Sequence, residues 1–367
     1  MSTDASEAQN VNANHQNEDD YDAILIVSFG GPEGPDDVMP FLENVLRGKP
    51  VPRERMLEVA EHYQHFGGVS PINEQNRELI ASLRKELESS GVNLPIYWGN
   101  RNWHPLLTDT VDEMRRDGRK KVIAFFTSMF SCYSGCRQYR ENIIDAREAC
   151  GDGAPTVNKL RKGYNHPLFI EAQVDLVGKA LAQIVEERRS SAKILFTAHS
   201  IPMSMSDNSR YVIQLQETSR LVAEKLGHSN FELVYQSRSG PPQQPWLEPD
   251  ICDRIEELVK EGEKDFVVAP IGFVSDHMEV MFDLDTEAKE ACEKLGVGFA
   301  RAETVGVHPS FISMIRDLIV ERITAREDRP ALGEMGPSHD VCPQDCCLYP
   351  RPKRPAGVGG PPSGASS

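Results

Sequence analysis

The sequence predicts an α/β protein of two similar Rossmann-like lobes, each a doubly wound parallel sheet, facing one another across a cleft. Three observations predict it. Short runs of β-branched and aromatic residues alternate with longer segments of helical period. The runs are apolar almost throughout, as strands covered on both faces of a parallel sheet are. Two of them, AILIVSFGGP (23–32) and KILFTAHSIP (193–202), pass in the same way into a tight polar loop ended by proline, one near the start of each half.

The expected strands are, in order, 23–29, 95–99, 121–126, 193–198, 232–236 and 265–273. Between them, the segment 73–89 places Leu79, Ile80, Leu83 and Leu87 on one helical face, and 166–188 carries a broad stripe of Leu168, Val174, Leu176, Leu181 and Ile184. The 367 residues suit two units of about 150 residues, with expected lobes at 21–180 and 181–326. Residues 1–20 hold five acidic residues and no Lys or Arg and are expected to be a disordered acidic tail. Residues 327–367 read as a Pro/Gly-rich tail, and Pro350–Ser367 lacks the apolar residues to pack a core.

Composition narrows the function. Lys and Arg number 40 against 56 Asp and Glu, a net charge of −16, which argues against a nucleic-acid partner. No apolar run approaches the ~20 residues of a membrane span, so no integral membrane association is expected. The first residues have neither a basic nor an apolar leader region, and eight Cys are too few for a disulfide scaffold. A reduced, cytoplasmic setting is the expectation. There is no GxxxxGK[ST], GGPEG (30–34) is not GxGxxG, and no GxSxG occurs, so neither nucleotide chemistry nor a serine hydrolase is expected.

Several residues could carry chemistry. His199 directly follows an expected strand, where α/β folds present groups to ligands; it is a base near neutral pH or a ligand for iron or zinc, or else only a hydrogen-bonding loop residue. In SDHMEVMFDLDTEAKEA (275–291), with Ser275 or Asp276 as N-cap, Glu279, Asp283 and Glu287 recur at i, i+4 and i+8. One helical stripe of three carboxylates repels itself and needs a cation, a metal path or solvent. GGVSPIN (67–73) is a Gly-Gly turn whose Ser70 and backbone could hold a carboxylate. The loop 236–250, with four prolines and Trp246, reads as a stiff wall. Cys342, Cys346 and Cys347 supply three of the four ligands of a [2Fe–2S] or zinc centre, with Cys136 as the fourth and Cys132 or Cys150 as alternatives. No His stands at zinc-finger spacing, which favours iron–sulfur. Cys252 and Cys292 read as packing residues.

Taken together, six segments resemble the ferrochelatases, from about Tyr21 to Arg326: ILIVSFGGPEGPDDVMPFLENVLRG, HYQHFGGVSPIN, YWGNRNWHP, FTAHSIP, YQSRSGPPQQPWLEPD and PIGFVSDHMEVMFDLD. The nearest likeness is to the cluster-containing bacterial type, typical of actinobacteria, that acts on coproporphyrin III. The resemblance implies a lyase of haem biosynthesis that inserts Fe²⁺, as substrate, into a porphyrin. It implies His199 as proton acceptor and metal ligand, Glu279 as its partner, and Asp283 and Glu287 as outer steps of a proton or metal path. It further implies that Ser70 and Tyr139 contact the tetrapyrrole, that Arg47 meets a propionate, and that Tyr63 lines the same wall. Phe29 stands where some bacterial members carry a Tyr axial ligand, and a phenyl ring cannot ligate iron. Cys136, Cys342, Cys346 and Cys347 match the family's [2Fe–2S] ligands. Transient haem-pathway enzymes are the expected protein partners. Kept beside this are a protoporphyrin IX ferrochelatase, a cobalt chelatase, which should carry a second His in place of Glu279, and a non-catalytic tetrapyrrole carrier. A neutral base predicts activity that falls in acid with an imidazole-like midpoint.

Overall fold

The computed structural model describes residues 20–48, 51–241 and 243–349. All but Asp20 of the expected acidic tail, and the stretch Pro350–Ser367, lie outside those residues.

Two four-stranded parallel sheets form the frame. The first comprises β1 (Ala23–Ser28), β2 (Ile96–Asn100), β3 (Lys121–Phe126) and β4 (Thr156–Lys159) in the order β2-β1-β3-β4. The second comprises β5 (Lys193–His199), β6 (Phe231–Gln236), β7 (Asp265–Ala269) and β8 (Gly298–Arg301) in the order β6-β5-β7-β8. The two orders are the same, so β1 and β5, whose sequences run alike into proline-ended loops, occupy equivalent places. Every residue of β1 is buried, as helices on both faces require.

The described helices used below are α1 (Val38–Val45), α2 (Arg53–His65), α3 (Ile72–Ser89), α4 (Leu107–Arg116), α5 (Gln138–Cys150), α6 (Pro167–Leu181), α7 (Tyr211–Leu226), α8 (Ile251–Glu261), α9 (Lys289–Leu295) and α10 (Pro309–Ile323). On α3 the expected stripe is buried at Leu79, Leu83 and Leu87. The largest core cluster joins residues of both sheets: Ile24 and Ile26 share it with Ile194 and Phe196, and α6 and α10 with Phe169 and Phe311. The last helix, α10, crosses back to pack on α3 and α6, with Phe311 edge-on to Phe125 of β3.

The strand expected over 265–273 ends at Ala269, because Pro270 has no amide to continue the ladder. Gly272 then packs so closely on β5 that a Cβ there would lie 2.7 Å from Ala198 Cβ. The helix expected over 166–188 ends at Leu181. The edge strands β4 (TVNK) and β8 (GFAR) were not expected, since each is four residues long and lacks an apolar run.

Residues 327–349 are not a free tail. Leu332 N donates to Asn165 O at 2.8 Å, Asn165 Nδ2 donates back to Leu332 O and Gly336 O, and Arg329 pairs with Asp340 at 2.9 Å. The segment lies against the first lobe and carries its cysteines there.

Candidate active site and metal centre

His199 is the last residue of β5 and Gln236 the last of β6, and the two are register partners. Both therefore stand at the carboxyl edge of the second sheet. Ser200 Oγ donates to Leu247 O, Leu247 N to Ile201 O, and Met203 N to Pro245 O, so the Pro-rich loop is tied along the His199 exit loop. The expected stiff wall is thus present.

Glu279 follows β7 on an element that departs from the expected α-helix. Neither Ser275 nor Asp276 begins it; it starts at Met278, and Met281–Ala288 is π-helical before α9 resumes. Such i→i+5 segments recur at functional sites. Glu279 Oε2 lies 3.4 Å from His199 Nε2, with the two side chains 49% and 31% exposed. The pair is partly exposed at this sheet edge. His199 Nδ1 is engaged by the Ser200 carbonyl, which leaves Nε2 to face the carboxylate.

The charges of this group are strongly coupled. Burial opposes the imidazolium of His199, yet the adjacent Glu279 carboxylate and the Ser200 carbonyl outweigh it, and His199 titrates above its ordinary value. Burial also opposes the Glu279 carboxylate, but His199 holds it well below the usual range, at about 2. Asp283 is pushed up to about 7 by burial and by the charges of Glu279 and Glu287, against a hydrogen bond from Ser237 that lowers it. That bond comes from a residue in left-handed backbone geometry, Ser237 at φ +61°. Gln236 Nε2 donates to Asp283 Oδ2 and to the Glu279 carbonyl, at 3.3 and 3.2 Å. Glu287 is exposed and raised by partial burial and by Asp250.

The first lobe closes over this edge. Tyr63, near the end of α2, packs edge-on to Phe41 at 5.8 Å, and burial and the Glu279 charge push its phenol up. His62 stacks on Phe282 at 3.9 Å, and Asp276 N donates to Gln75 of α3 at 2.8 Å. Ser70 is buried beneath the Gly-Gly turn, where Gly67 and Gly68 have φ of +73° and +74° and a Cβ on Gly68 would sit 2.4 Å from Pro35 Cα. Phe29, at the exit of β1, is 36% exposed. Arg47 is exposed at the end of α1 and bonds Asn44, which in turn donates to the Asn102 carbonyl.

Tyr139 requires a correction. It is buried in the first-lobe core, stacked on Phe126, and Arg101 lies over its ring at 4.5 Å. Arg101 also lies 5.7 Å from the Phe29 ring, so its guanidinium sits between Phe29 and the buried Tyr139. The sequence reading also missed His277. It is two residues before Glu279, and its imidazole is kept neutral by burial and by His199, against the pull of Glu279. A second His in the SDHMEV segment was the available signal.

The cysteines converge across the chain. Cys132–Arg137 forms a turn whose Gly135 carbonyl, like the Ser128 carbonyl just before the turn, accepts from the buried Lys162 side chain. Arg137 ties this turn to the tail through the carbonyls of Gln344 and Cys346, at 2.7 and 3.2 Å. The neighbouring Cys342 thiol, together with burial, pushes the Cys136 thiol up, and Cys136 in turn lowers Cys342 to about 6. Cys346 Sγ is 3.6 Å from Cys347 Sγ. Cys150 instead bonds Asp112, and Cys132 caps Gly135 N with its own sulfur. Of the core candidates, Cys136 is the one next to Arg137, which bonds the carbonyls of Gln344 and Cys346 in the tail. The donor atoms of His339, Cys342 and Cys346 lie within 4.8 Å of one another. No His stands at zinc-finger spacing, but His339, three residues before Cys342, joins the group, a neighbour that the sequence reading did not weigh. This His/Cys group can hold a metal.

Among the described residues no helix is long and apolar enough to cross a membrane. A family model described as Ferrochelatase matches residues 21–323. A protein of Rhodopirellula baltica named ferrochelatase is 63% identical over 344 residues, covering 93% of this chain and 97% of its own. A Streptomyces coelicolor protein named coproporphyrin III ferrochelatase is 52% identical over 361 residues, covering 92% and 96%. Among solved structures, a sirohydrochlorin chelatase of Bacillus subtilis in complex with cobalt aligns over 84% of this chain and 97% of its own, with TM-score 0.50 and 11% identity, a likeness of fold. Taken with the paired His199 and Glu279 at the cleft, these matches establish that the chain belongs to the ferrochelatase family.

Proposed function

We propose that this family member, a metal chelatase and hence a lyase, inserts ferrous iron into coproporphyrin III, with His199 and Glu279 at the reacting centre. The observation that carries the reading is the 3.4 Å approach of His199 Nε2 to Glu279 Oε2 at the open sheet edge. Insertion must remove two pyrrole protons and strip water from the metal. A neutral His199 presents Nε2 as base and ligand, while Glu279, ionised at any working pH, offers a second oxygen and stabilises the imidazolium once a proton arrives. Asp283, poised near neutrality, is suited to take the proton onward, with exposed Glu287 as the outer step. Ser70, Tyr63, Phe29, Arg47 and, in place of Tyr139, Arg101 are assigned to the tetrapyrrole wall.

Coproporphyrin is preferred over protoporphyrin because relatives covering nine-tenths of the chain carry that substrate in their names. Purified protein, ferrous iron and each porphyrin under anaerobic conditions give the test. Faster turnover of coproporphyrin III supports the assignment, and faster turnover of protoporphyrin IX overturns it. Glu279 in place of a second His ranks the cobalt chelatase lower, and a carrier reading has no use for the paired base.

Cys136, Cys342, Cys346 and Cys347 are assigned to a [2Fe–2S] centre by the family resemblance, supported by the 3.6 Å approach of Cys346 and Cys347, the closeness of the Cys342 and Cys346 donor atoms, and the bond of Arg137, next to Cys136, to the Cys346 carbonyl. When bound, such a centre supplies reversible one-electron chemistry. The chain's own part is to hold the tail on the first lobe through these thiols. A cytoplasmic setting and transient contacts with neighbouring enzymes of haem synthesis complete the reading.

A further inference from the structure

A second concave site lies away from the His199 cleft. A groove of about 190 Å³ runs between α5, β4 and the returning tail. Its rim carries Arg140, Arg147, Lys159 and Arg322, with Asp340 as the sole carboxylate and Cys342 at one end. Asp340 is already committed, to Arg329 at 2.9 Å and to Arg322 at 3.5 Å. Lys159 reaches the carbonyls of Leu160 and His339 only at 3.5 and 3.3 Å. Most telling, Arg140 NH1 and Arg147 Nε are buried and have no hydrogen-bond acceptor among the described residues. A buried guanidinium N–H without an acceptor is costly, and two of them at one groove point to an acceptor from outside the chain.

We propose that this groove binds a compact organic anion bearing two or more carboxylate or phosphate groups. The cations excess sets the charge, and guanidinium forks suit both oxyanions. The volume, that of about six water molecules, sets the size well below a nucleotide or a porphyrin. Ile143 and Val157 line the same groove, so the carbon frame of an organic anion has an apolar wall to lie on. Nothing in the site depends on His199 or Glu279, and the proposal stands apart from the insertion chemistry.

The test is titration calorimetry on the full chain as purified, at constant ionic strength set with potassium chloride. Tricarballylate probes the carboxylate arm and propane-1,3-diol bisphosphate the phosphate arm. Saturable one-to-one binding of either is expected, and the arm that binds identifies the ligand's head group. Arg140→Gln/Arg147→Gln should weaken it tenfold or more, with far-UV circular dichroism unchanged. Should that double variant misfold, Lys159→Gln serves instead and should weaken binding severalfold. Absence of saturable binding of both probes, or binding unchanged in a folded variant, overturns the proposal.

Discussion

The hydroxyl of Tyr211 donates to the backbone carbonyl of His199 at 3.1 Å. Tyr211 is buried at the start of α7, edge-on to Phe130, so the end of β5 is gripped by a side chain from the same lobe's core. The imidazole is then oriented by backbone on both sides: the Tyr211 bond behind it and the Ser200 carbonyl at Nδ1. Tyr211→Phe keeps the packing and removes one neutral hydrogen bond worth about 1 kcal/mol. We expect kcat to fall roughly fivefold, with porphyrin KM and the midpoint of the pH profile unchanged, in steady-state assays.

The pH dependence follows from the His199–Glu279 pair. Only neutral His199 accepts a proton, and the neighbouring carboxylate raises its titration above 6.5. Activity should therefore climb with pH through a midpoint above 6.5 and be lost below it. Glu279→Gln removes the raising influence while burial remains, so the His199 midpoint, followed by NMR, should fall. In the same variant, insertion should drop by about 100-fold or more, while porphyrin binding, read by fluorescence quenching, persists. Unchanged insertion would return the carrier reading.

Asp283 gives an independent handle. Its midpoint of about 7 is held down by the Ser237 hydroxyl, so Ser237→Ala should raise it further. Asp283→Asn should slow insertion about tenfold at neutral pH, as expected when one proton-transfer group is lost. Glu287→Gln, altering an exposed residue, should have a smaller effect; the three rates compared at one pH decide it.

For the thiol centre, metal and sulfide analysis of the purified chain should find two irons and two sulfides per molecule. Cys136→Ser should abolish the visible absorbance and the reduced-state EPR signal, whereas His339→Ala should retain both. Zinc without sulfide would instead favour a mononuclear site that uses His339.

A buried ion pair ties the segment after β4 to α10, and its Arg161 NH2 also donates to the Pro330 carbonyl of the tail at 3.0 Å. Arg161 Nε and NH2 donate to both oxygens of Glu321 at 2.7 and 2.9 Å, with the side chains 1% and 6% exposed. Arg161→Met leaves a buried carboxylate with only the distant Arg329 at 3.9 Å. A loss of about 3 kcal/mol is expected, visible as a lowered denaturant midpoint.

By itself, the sequence determined the α/β class and six of the eight strands, and offered a strand-end His and a stripe of carboxylates that only the family resemblance paired. The strands are local matters: one buried on both faces must be largely apolar, as the runs AILIV of β1 and ILF of β5 are. The short edge strands TVNK and GFAR escaped because an edge buries little and needs no such run. What only the tertiary structure decided were relations between distant segments. Arg137 bonds the tail beside the cysteines, Arg101 covers Tyr139, and Arg140 and Arg147 line one groove because α5, β4 and the returning tail pack together. Even the stripe of Glu279, Asp283 and Glu287 changed meaning, since the chain there winds with i→i+5 bonds. Periodicity reports which side of an element is buried; which groups meet across elements, and with what shifted charge, is set by packing that no local window contains.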